Sequence, residues 1–255
     1  MTGKTIVITG ASAGIGAALA LKLAARGDDL MLAARRTDEL KQVARACGRK
    51  ALPYVTDVTR RRDVERLRDE ALRTFGQVDV WINNAGRGIN RNVLELTDED
   101  LDEMLAVNVK SALYGMQAIV PHFKENGTGH LINVSSALGR IPFASPRSAY
   151  SAAKAALNSL TATLRMDLQR DYPNVHVSLV LPGVVHTGFA GNALHAAPVP
   201  GAAPNIPGQS AEEVADAIVH LIDEPQAELY TNPGQAETVA RYYADVAAFE
   251  QFMGR

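Results

Sequence analysis

A parallel β-sheet covered by helices on both faces is the fold class that this sequence predicts, and three observations predict it. Short apolar or β-branched runs alternate with helical patterns almost throughout the chain. The runs are near-continuously apolar, as strands buried on both faces must be, where a half-exposed strand would alternate. The first run also passes through a glycine-rich turn directly into a helical pattern, the opening of a β-α-β unit.

Taken in order, the predicted strands are Thr5–Thr9, Leu30–Ala33, Ala51–Val55, Val78–Ile82, His130–Val134, Val175–Leu181 and the weaker Glu228–Thr231. Helical patterns fall between them, near 15–26, 38–46, 60–74, 98–122, 149–171 and 211–223. The crossovers of such units are right-handed. No linker or internal repeat divides the chain, so residues 1–255 read as one domain. The one shift in composition, Gly188–Gln209, is rich in Gly, Ala and Pro and reads as a long loop of the functional or mobile kind. Beyond Pro233, at 234–253, Val239, Tyr242, Val246, Phe249 and Met253 recur at spacings of three and four. They make a narrow apolar seam on one expected helix, to be buried on its own subunit, on a neighbouring one, or over the 188–209 loop.

Composition narrows the function classes. With 47% hydrophobic and 21% charged residues the chain has ordinary soluble composition, and a formal charge of −2 offers no general attraction to nucleic acid or anionic lipid. The apolar stretch after Lys4 is too short for a signal-peptide core, and no run approaches a membrane span, so a cytoplasmic protein is expected. Cys47 is the single cysteine and the six histidines lack ligand spacing, which leaves a metal site unsupported.

The first turn reads Thr9-Gly10-Ala11-Ser12-Ala13-Gly14-Ile15-Gly16. Glycines there allow a tight turn and close backbone approach to a pyrophosphate, which a helix N-terminus attracts. The second strand ends Ala34-Arg35-Arg36, with alanine where a carboxylate would bind the ribose diol of NAD. Two cations at a helix N-terminus oppose its dipole, so the pair is either solvated beside Asp38 and Glu39 or waits for a 2′-phosphate. Asp57-Val58 is either an acidic helix start or an adenine contact. Asn83-Asn84-Ala85-Gly86 places small and amide-bearing residues at the carboxyl end of a strand, where ligands of open α/β sheets bind. Asn108 interrupts an otherwise apolar helical run, and Pro182-Gly183 turns sharply before Val185 and Thr187. Tyr150 and Lys154 are four apart in a run of strong helix formers, hence on one helix face. A cation ~4 Å from a phenol, at an effective dielectric of ~20, lowers its pKa by at most about three units. On that reading Lys154 brings Tyr150 toward the range of a general acid–base.

Together these stretches resemble the short-chain dehydrogenase/reductase family. Thr9 with Gly14-Ile15-Gly16, Asn83 to Gly86, Asn108, Ser136, Tyr150 with Lys154, and Pro182-Gly183 with Thr187 stand in the family's order. The resemblance implies a Rossmann-like, doubly wound seven-stranded parallel sheet of order 3-2-1-4-5-6-7. It implies an oxidoreductase moving a hydride between NADP(H), less readily NAD(H), and a carbonyl or alcohol substrate. Tyr150 would exchange a proton with the substrate oxygen and Ser136 would hydrogen-bond it. Lys154 would bind nicotinamide ribose, and Asn108 would hold a water in the proton relay. Gly10, Ser12, Gly14, Ile15 and Gly16 would line the diphosphate and adenosine ribose, Arg35 and Arg36 the 2′-phosphate, and Asp57-Val58 the adenine. Asn84, Ala85 and Gly86 would line the ribose region, and Pro182, Gly183, Val185 and Thr187 the carboxamide. A homodimer or homotetramer with no nucleic-acid or membrane partner is implied, and 188–209 would be the substrate loop.

Two features depart from the family pattern. Ser136 precedes Tyr150 by fourteen residues where thirteen are usual, which adds one residue to the loop Ala137–Ala149 beside the substrate. Ala13 stands where many NADP-preferring relatives carry a basic residue. Leu138, Ile141, Phe143, Val184, Phe189 and Leu194 suggest an apolar substrate pocket, with Arg140, His186 and His195 as polar contacts, and loop packing explains each equally well. Two other functions compete: a non-catalytic NADP(H)-binding sensor or scaffold, and an isomerase or dehydratase using the same Tyr and Lys. A pure binder has no use for Asn108, Ser136, Tyr150 and Lys154 together. The isomerase and dehydratase relatives usually carry a longer substrate domain.

Overall fold

The computed structural model describes residues 3–196 and 208–253. Strand β1 (Thr5–Thr9) leads to helix α1 (Gly14–Arg26), β2 (Asp29–Ala34) to α2 (Thr37–Cys47), and β3 (Ala51–Val55) to α3 (Arg61–Phe75). Then come β4 (Val80–Asn83), α4 (Asp98–Leu105), α5 (Ser111–Asn126), β5 (Gly129–Val134), α6 (Ser148–Gln169) and β6 (Val175–Leu181). Two-residue strands β7 (Val185–His186) and β8 (Gln209–Ser210) pair with each other, and α7 (Ala211–Asp223) leads to β9 (Glu228–Tyr230). The tail forms α8 (Gln235–Ala244) and α9 (Val246–Met253).

The main sheet has seven parallel strands in the order β3-β2-β1-β4-β5-β6-β9. This is the expected topology, with β9 as the seventh strand of the sheet. Registers such as Ile6 opposite both Leu30 and Val80 align the carboxyl ends of β1, β2 and β4 along one edge. The strands are apolar throughout because both faces are covered. Ile6 and Ile8 pack with Leu19, Leu23 and Leu40 and with Val214 and Ile218 of α7, while Val7 packs on the opposite face with Leu67, Ile119 and Phe123. The chain's one tryptophan, Trp81, is fully buried on β4, where its indole Nε1 donates to Asn83 Oδ1 at 2.8 Å. Among the described residues no helix is long and apolar enough to cross a membrane.

Two expectations need correction. The helix expected over 98–122 is interrupted by a π-helical turn, Ala106–Lys110, and the widened turn contains Asn108. Such single π turns collect at functional sites because the extra residue redirects one side chain. The helix expected over 234–253 is two helices, broken at Asp245, whose extended backbone and side chain cap the second by accepting from Ala248 N at 2.9 Å. The apolar seam therefore folds on itself, with the Tyr242 and Phe249 rings 5.4 Å apart. Of its members Val239 is buried, and beside it Tyr243 donates to the Arg140 carbonyl at 3.0 Å, so α8 rests on its own subunit. In the long loop 188–209, residues 197–207 lie outside the described residues.

Candidate active site

The turn between β1 and α1 is held by β4. Asn84 Nδ2 donates to the carbonyls of Thr9 (3.0 Å) and Gly10 (3.3 Å), and Thr9 Oγ1 accepts from Asn84 N and Ala85 N. Gly10 has φ +69, and a Cβ there would stand 2.8 Å from Ala85 Cα; one at Gly16 would stand 2.4 Å from the Gly10 carbonyl. Only glycine permits this closeness, so the turn brings bare backbone N–H groups to the N-terminus of α1. Gly14, at φ +54, faces Thr187: a Cβ would meet its Cγ2 at 3.3 Å. Thus the Gly10–Gly16 turn and the Pro182–Thr187 segment form two walls of one groove. Val185 packs partly buried against the same cluster as Ile15.

Arg35 and Arg36 are both exposed where β2 ends. Arg36 donates to Ser12 Oγ at 3.1 Å and lies 3.7 Å from Glu39. Asp57 accepts from Thr59 Oγ1 at 2.7 Å and Thr59 N at 3.1 Å. Burial works against its charge, but these bonds and the charges of Arg35 and Arg60 hold its carboxyl below the usual carboxylate range. Val58 beside it is buried. Tight glycine contacts thus lie at one end of the groove and two exposed cations at the other.

Tyr150 and Lys154 share one face of α6, both buried, with Lys154 Nζ 5.7 Å from the center of the phenol ring. Lys154 Nζ donates to the Val134 carbonyl at 2.9 Å. The lowering of the phenol's pKa expected from the spacing is not what the fold produces. Burial pushes Tyr150 up to about 12, only partly countered by the Ser136 hydroxyl and the Arg147 guanidinium. Burial pulls Lys154 itself down to about 8. Sequence spacing carries the alignment of the two groups but not their desolvation, which here is the larger effect.

Asn108 projects from the π turn toward the same place. Its Nδ2 donates to the carbonyls of Arg87 (2.9 Å) and Met104 (3.1 Å), and its Oδ1 accepts from Arg87 N at 3.2 Å. A Cβ at Gly86 would stand 3.0 Å from Asn108 Oδ1 and 3.6 Å from Lys154 Nζ, so glycine keeps open the space onto which both look. Ser136 caps the short 3-10 turn Ala137–Gly139, accepting from Leu138 N at 3.2 Å. Asn158, which the sequence did not single out, donates to the Gly139 carbonyl at 3.0 Å and hydrogen-bonds Ser135, fixing that turn against α6. It lies four residues after Lys154 on the same helix face, and that spacing was its only signal.

Of the apolar pocket candidates, Leu138, Phe189 and Leu194 pack with Tyr150 and Ala153, and Ile141 is buried, whereas Phe143 and Val184 are exposed. Two of the three polar candidates are engaged elsewhere, Arg140 with Glu228 and His195 through Nε2 2.7 Å from Asp100 Oδ1, while His186 is exposed on β7. Residues 188–196 are laced to the chain after β4. Leu194 N donates to the Gly88 carbonyl and Asn90 N to the Leu194 carbonyl, each at 2.9 Å, and Arg87 Nε reaches the Asn192 carbonyl at 3.2 Å. Arg147, also unforeseen, stands at the start of α6 beside Gly88 and Ile89, within the electrostatic reach of Tyr150.

The sequence model of the short chain dehydrogenase family matches residues 4–197. An uncharacterized oxidoreductase of Staphylococcus aureus strain N315 is 34% identical over 227 residues, 89% of this chain and 94% of its own. A short-chain dehydrogenase/reductase from Burkholderia phymatum, solved in complex with NAD, superposes with a TM-score of 0.86 at 30% identity, covering 97% of this chain and 95% of its own. A short-chain dehydrogenase from Burkholderia cenocepacia J2315, solved in complex with NADP, gives a TM-score of 0.82 at 29% identity, over 99% and 98% of the two chains.

Proposed function

The chain belongs to the short-chain dehydrogenase/reductase family of NAD(P)-dependent oxidoreductases, and from that premise we propose that it is an NADP(H)-dependent reductase of ketones or aldehydes. One observation carries the reading: Tyr150, Lys154, Ser136 and Asn108 are buried together at the carboxyl ends of β4 and β5, against Gly86 and beside the glycine turn. The NADP(H) preference is supported by Arg35 and Arg36 beside Ser12, with Ala34 buried and no carboxylate at the end of β2.

Bound nicotinamide would supply or accept the hydride; the residues of the chain do the rest. In reduction, negative charge grows on the carbonyl oxygen as its carbon gains the hydride. The Ser136 hydroxyl donates to that oxygen, and the Tyr150 phenol delivers the proton that makes it an alcohol. A phenol near 12 stays protonated at neutral pH and, being a stronger acid than an alcohol, still yields its proton to the growing alkoxide. Lys154, titrating near 8, and Asn108 at Gly86 stand where they can hold the ribose and restore that proton. Gly10, Gly14, Gly16, Asp57, Val58, Asn84, Ala85, Pro182, Gly183, Val185 and Thr187 would hold the remainder of the dinucleotide. A homodimer or homotetramer goes with this proposal, and the groove of about 580 Å³ between α5 and α6, lined by Met116, Val120, Leu160 and Leu164 among others, would supply a surface for it. A non-catalytic sensor would also use Lys154 on the ribose, but it has no use for the Ser136 hydroxyl and the Tyr150 phenol set side by side next to it.

The test is purified protein with NADPH and a panel of ketones and aldehydes. NADPH consumption that depends on the carbonyl compound is expected. Nucleotide binding without consumption across the panel would replace this reading with the sensor.

A further inference from the structure

We propose that Arg147 recognises a carboxylate on the substrate, so that the carbonyl compound reduced is a short oxo acid. This rests on the reading of Tyr150 given above.

Arg147 is held firmly where three segments of the cleft meet. Its backbone forms a parallel bridge with Arg91, its N–H donates to the Ala144 carbonyl at 2.8 Å, and its own carbonyl accepts from Ser151 N at 2.8 Å. On either side of it, Arg91 N donates to the Pro146 carbonyl at 2.8 Å, and Ser148 Oγ donates to the Arg91 carbonyl at 2.6 Å. The guanidinium passes under the chain after β4. A Cβ at Gly88 would meet Arg147 Nη1 at 2.7 Å and Phe189 Cε1 at 3.0 Å, and the Phe189 ring lies 5.6 Å from that of Tyr150. Arg147, Gly88, Phe189 and Tyr150 therefore converge on one part of the cleft.

What distinguishes Arg147 there, among the described residues, is its lack of a counterion. Arg87 pairs with Glu103 at 3.3 Å, Arg91 with Asp100 at 2.9 Å, and Arg140 with Glu228. Among the described residues no carboxylate lies within 4.0 Å of Arg147, and its one side-chain hydrogen bond is Nη1 to the Ile89 carbonyl at 3.3 Å. A guanidinium has five donors in a planar fork, so a half-buried one with a single neutral acceptor has several to offer. The fork matches a carboxylate bidentately, and the N-terminus of α6 adds positive potential from the same side. Burial already acts against its charge, which an arriving anion would reverse.

The geometry also limits the length of the acid. Arg147, the N-cap residue of α6, precedes Tyr150 by three residues, so their side chains leave the chain close together at the start of that helix. A carboxylate on Arg147 then leaves the reducible carbonyl, held by Tyr150 and Ser136, only a few bonds away. In the reaction the carbonyl carbon gains a hydride from the reduced nicotinamide and its oxygen gains the Tyr150 proton. The carbonyl becomes a hydroxyl, the nicotinamide is left oxidised, and the carboxylate passes through unchanged.

The experiment compares 2-oxo and 3-oxo acids with their methyl esters and with neutral ketones of equal length, using unmodified protein, Arg147→Met and Arg147→Lys. Expected is a kcat/KM for at least one acid about ten- to a hundredfold above its ester in the unmodified protein. That ratio should collapse toward one in Arg147→Met and recover in part in Arg147→Lys. Reduction of neutral ketones with no preference for any acid would overturn the inference while leaving the reductase reading standing. So would an Arg147→Met variant that lowers acid and ester equally. If no carbonyl compound is reduced at all, the reductase reading fails and this inference falls with it. The acid-to-ester ratio of the unmodified protein decides the matter even where a variant folds poorly.

Discussion

His195 Nε2 lies 2.7 Å from Asp100 Oδ1, a contact across ninety-five positions that ties the segment after β7 to the first turn of α4. Asp100 is buried, also accepts from Arg91 at 2.9 Å, and forms a capping box with Thr97. His195 meets it from a left-handed backbone, φ +54, which a non-glycine residue adopts only when its surroundings hold it there. The bond to His195 and the charge of Arg91 keep the Asp100 carboxyl below the usual carboxylate range, against its burial. Replacing His195 by Ala should therefore loosen residues 188–196 and raise KM for the carbonyl substrate about fivefold, the worth of one partly exposed charged hydrogen bond. The nucleotide Kd should stay within about twofold, because the latch touches none of the groove walls. Titration of the variant with NADPH and steady-state kinetics measure the two quantities separately, and equal loss in both would deny the latch its local role.

Tyr150→Phe keeps the ring packed against Phe189 and removes the phenol hydroxyl that faces the substrate oxygen in this proposal. Turnover should fall by at least ~10², the lower end of what a general acid contributes, with nucleotide affinity within a few-fold of the parent. A variant retaining more than about a tenth of parental turnover would take the proton-donor role from this residue.

Arg35→Ala should raise KM for NADPH and leave that for NADH nearly unchanged, since only a phosphate contact is lost. Adding Ala34→Asp should move the preference toward NADH by offering a carboxylate to the ribose hydroxyls. Paired kinetics with both nucleotides check this, and a parent that already uses NADH as well as NADPH would sink it.

Lys154 supplies a pH prediction with a definite sign. Its folded value near 8 lies below the ~10.4 of a free lysine, so between these the unfolded chain holds more protons and stability rises with pH. Below about pH 8 the folded protein bears the whole cost of the buried cation. Replacing Lys154 by Met removes this dependence. The stability of parent relative to variant should accordingly grow by up to about 3 kcal/mol from about pH 7 to about pH 10. Urea denaturation of both proteins without nucleotide gives this difference. Work above about pH 10 would add the opposite trend of Tyr150, whose raised value stabilises the fold only until the free phenol begins to ionise.

The strands and the glycine turn were legible because their signals are local. An apolar run such as Thr5–Thr9 names a strand covered on both faces, and Gly10, Gly14 and Gly16 name a turn that needs closeness or positive φ. Tyr150 and Lys154 were legible as a pair because helical spacing puts them on one face. The direction of their titration was not, because it depends on how deeply α6 is buried. Arg147 and the His195–Asp100 contact were out of reach because they depend on which distant loops meet. Asp245 could have been read: an aspartate inside an apolar periodic run is a helix start as readily as a surface residue.

Trp81 gives this protein an optical property. Its indole is enclosed between β4 and α5, where a Cβ at Gly115 would stand 2.7 Å from its Nε1, and no second tryptophan competes with its emission. Light selective for indole therefore reports from a single spot at the center of the molecule. Fluorescence will register collapse or melting of the interior as one transition and will be blind to rearrangement at the mouth of the cleft. An observer of that mouth must bring another dye, and Cys47, the one thiol, lies on α2 and offers no handle there without relocation.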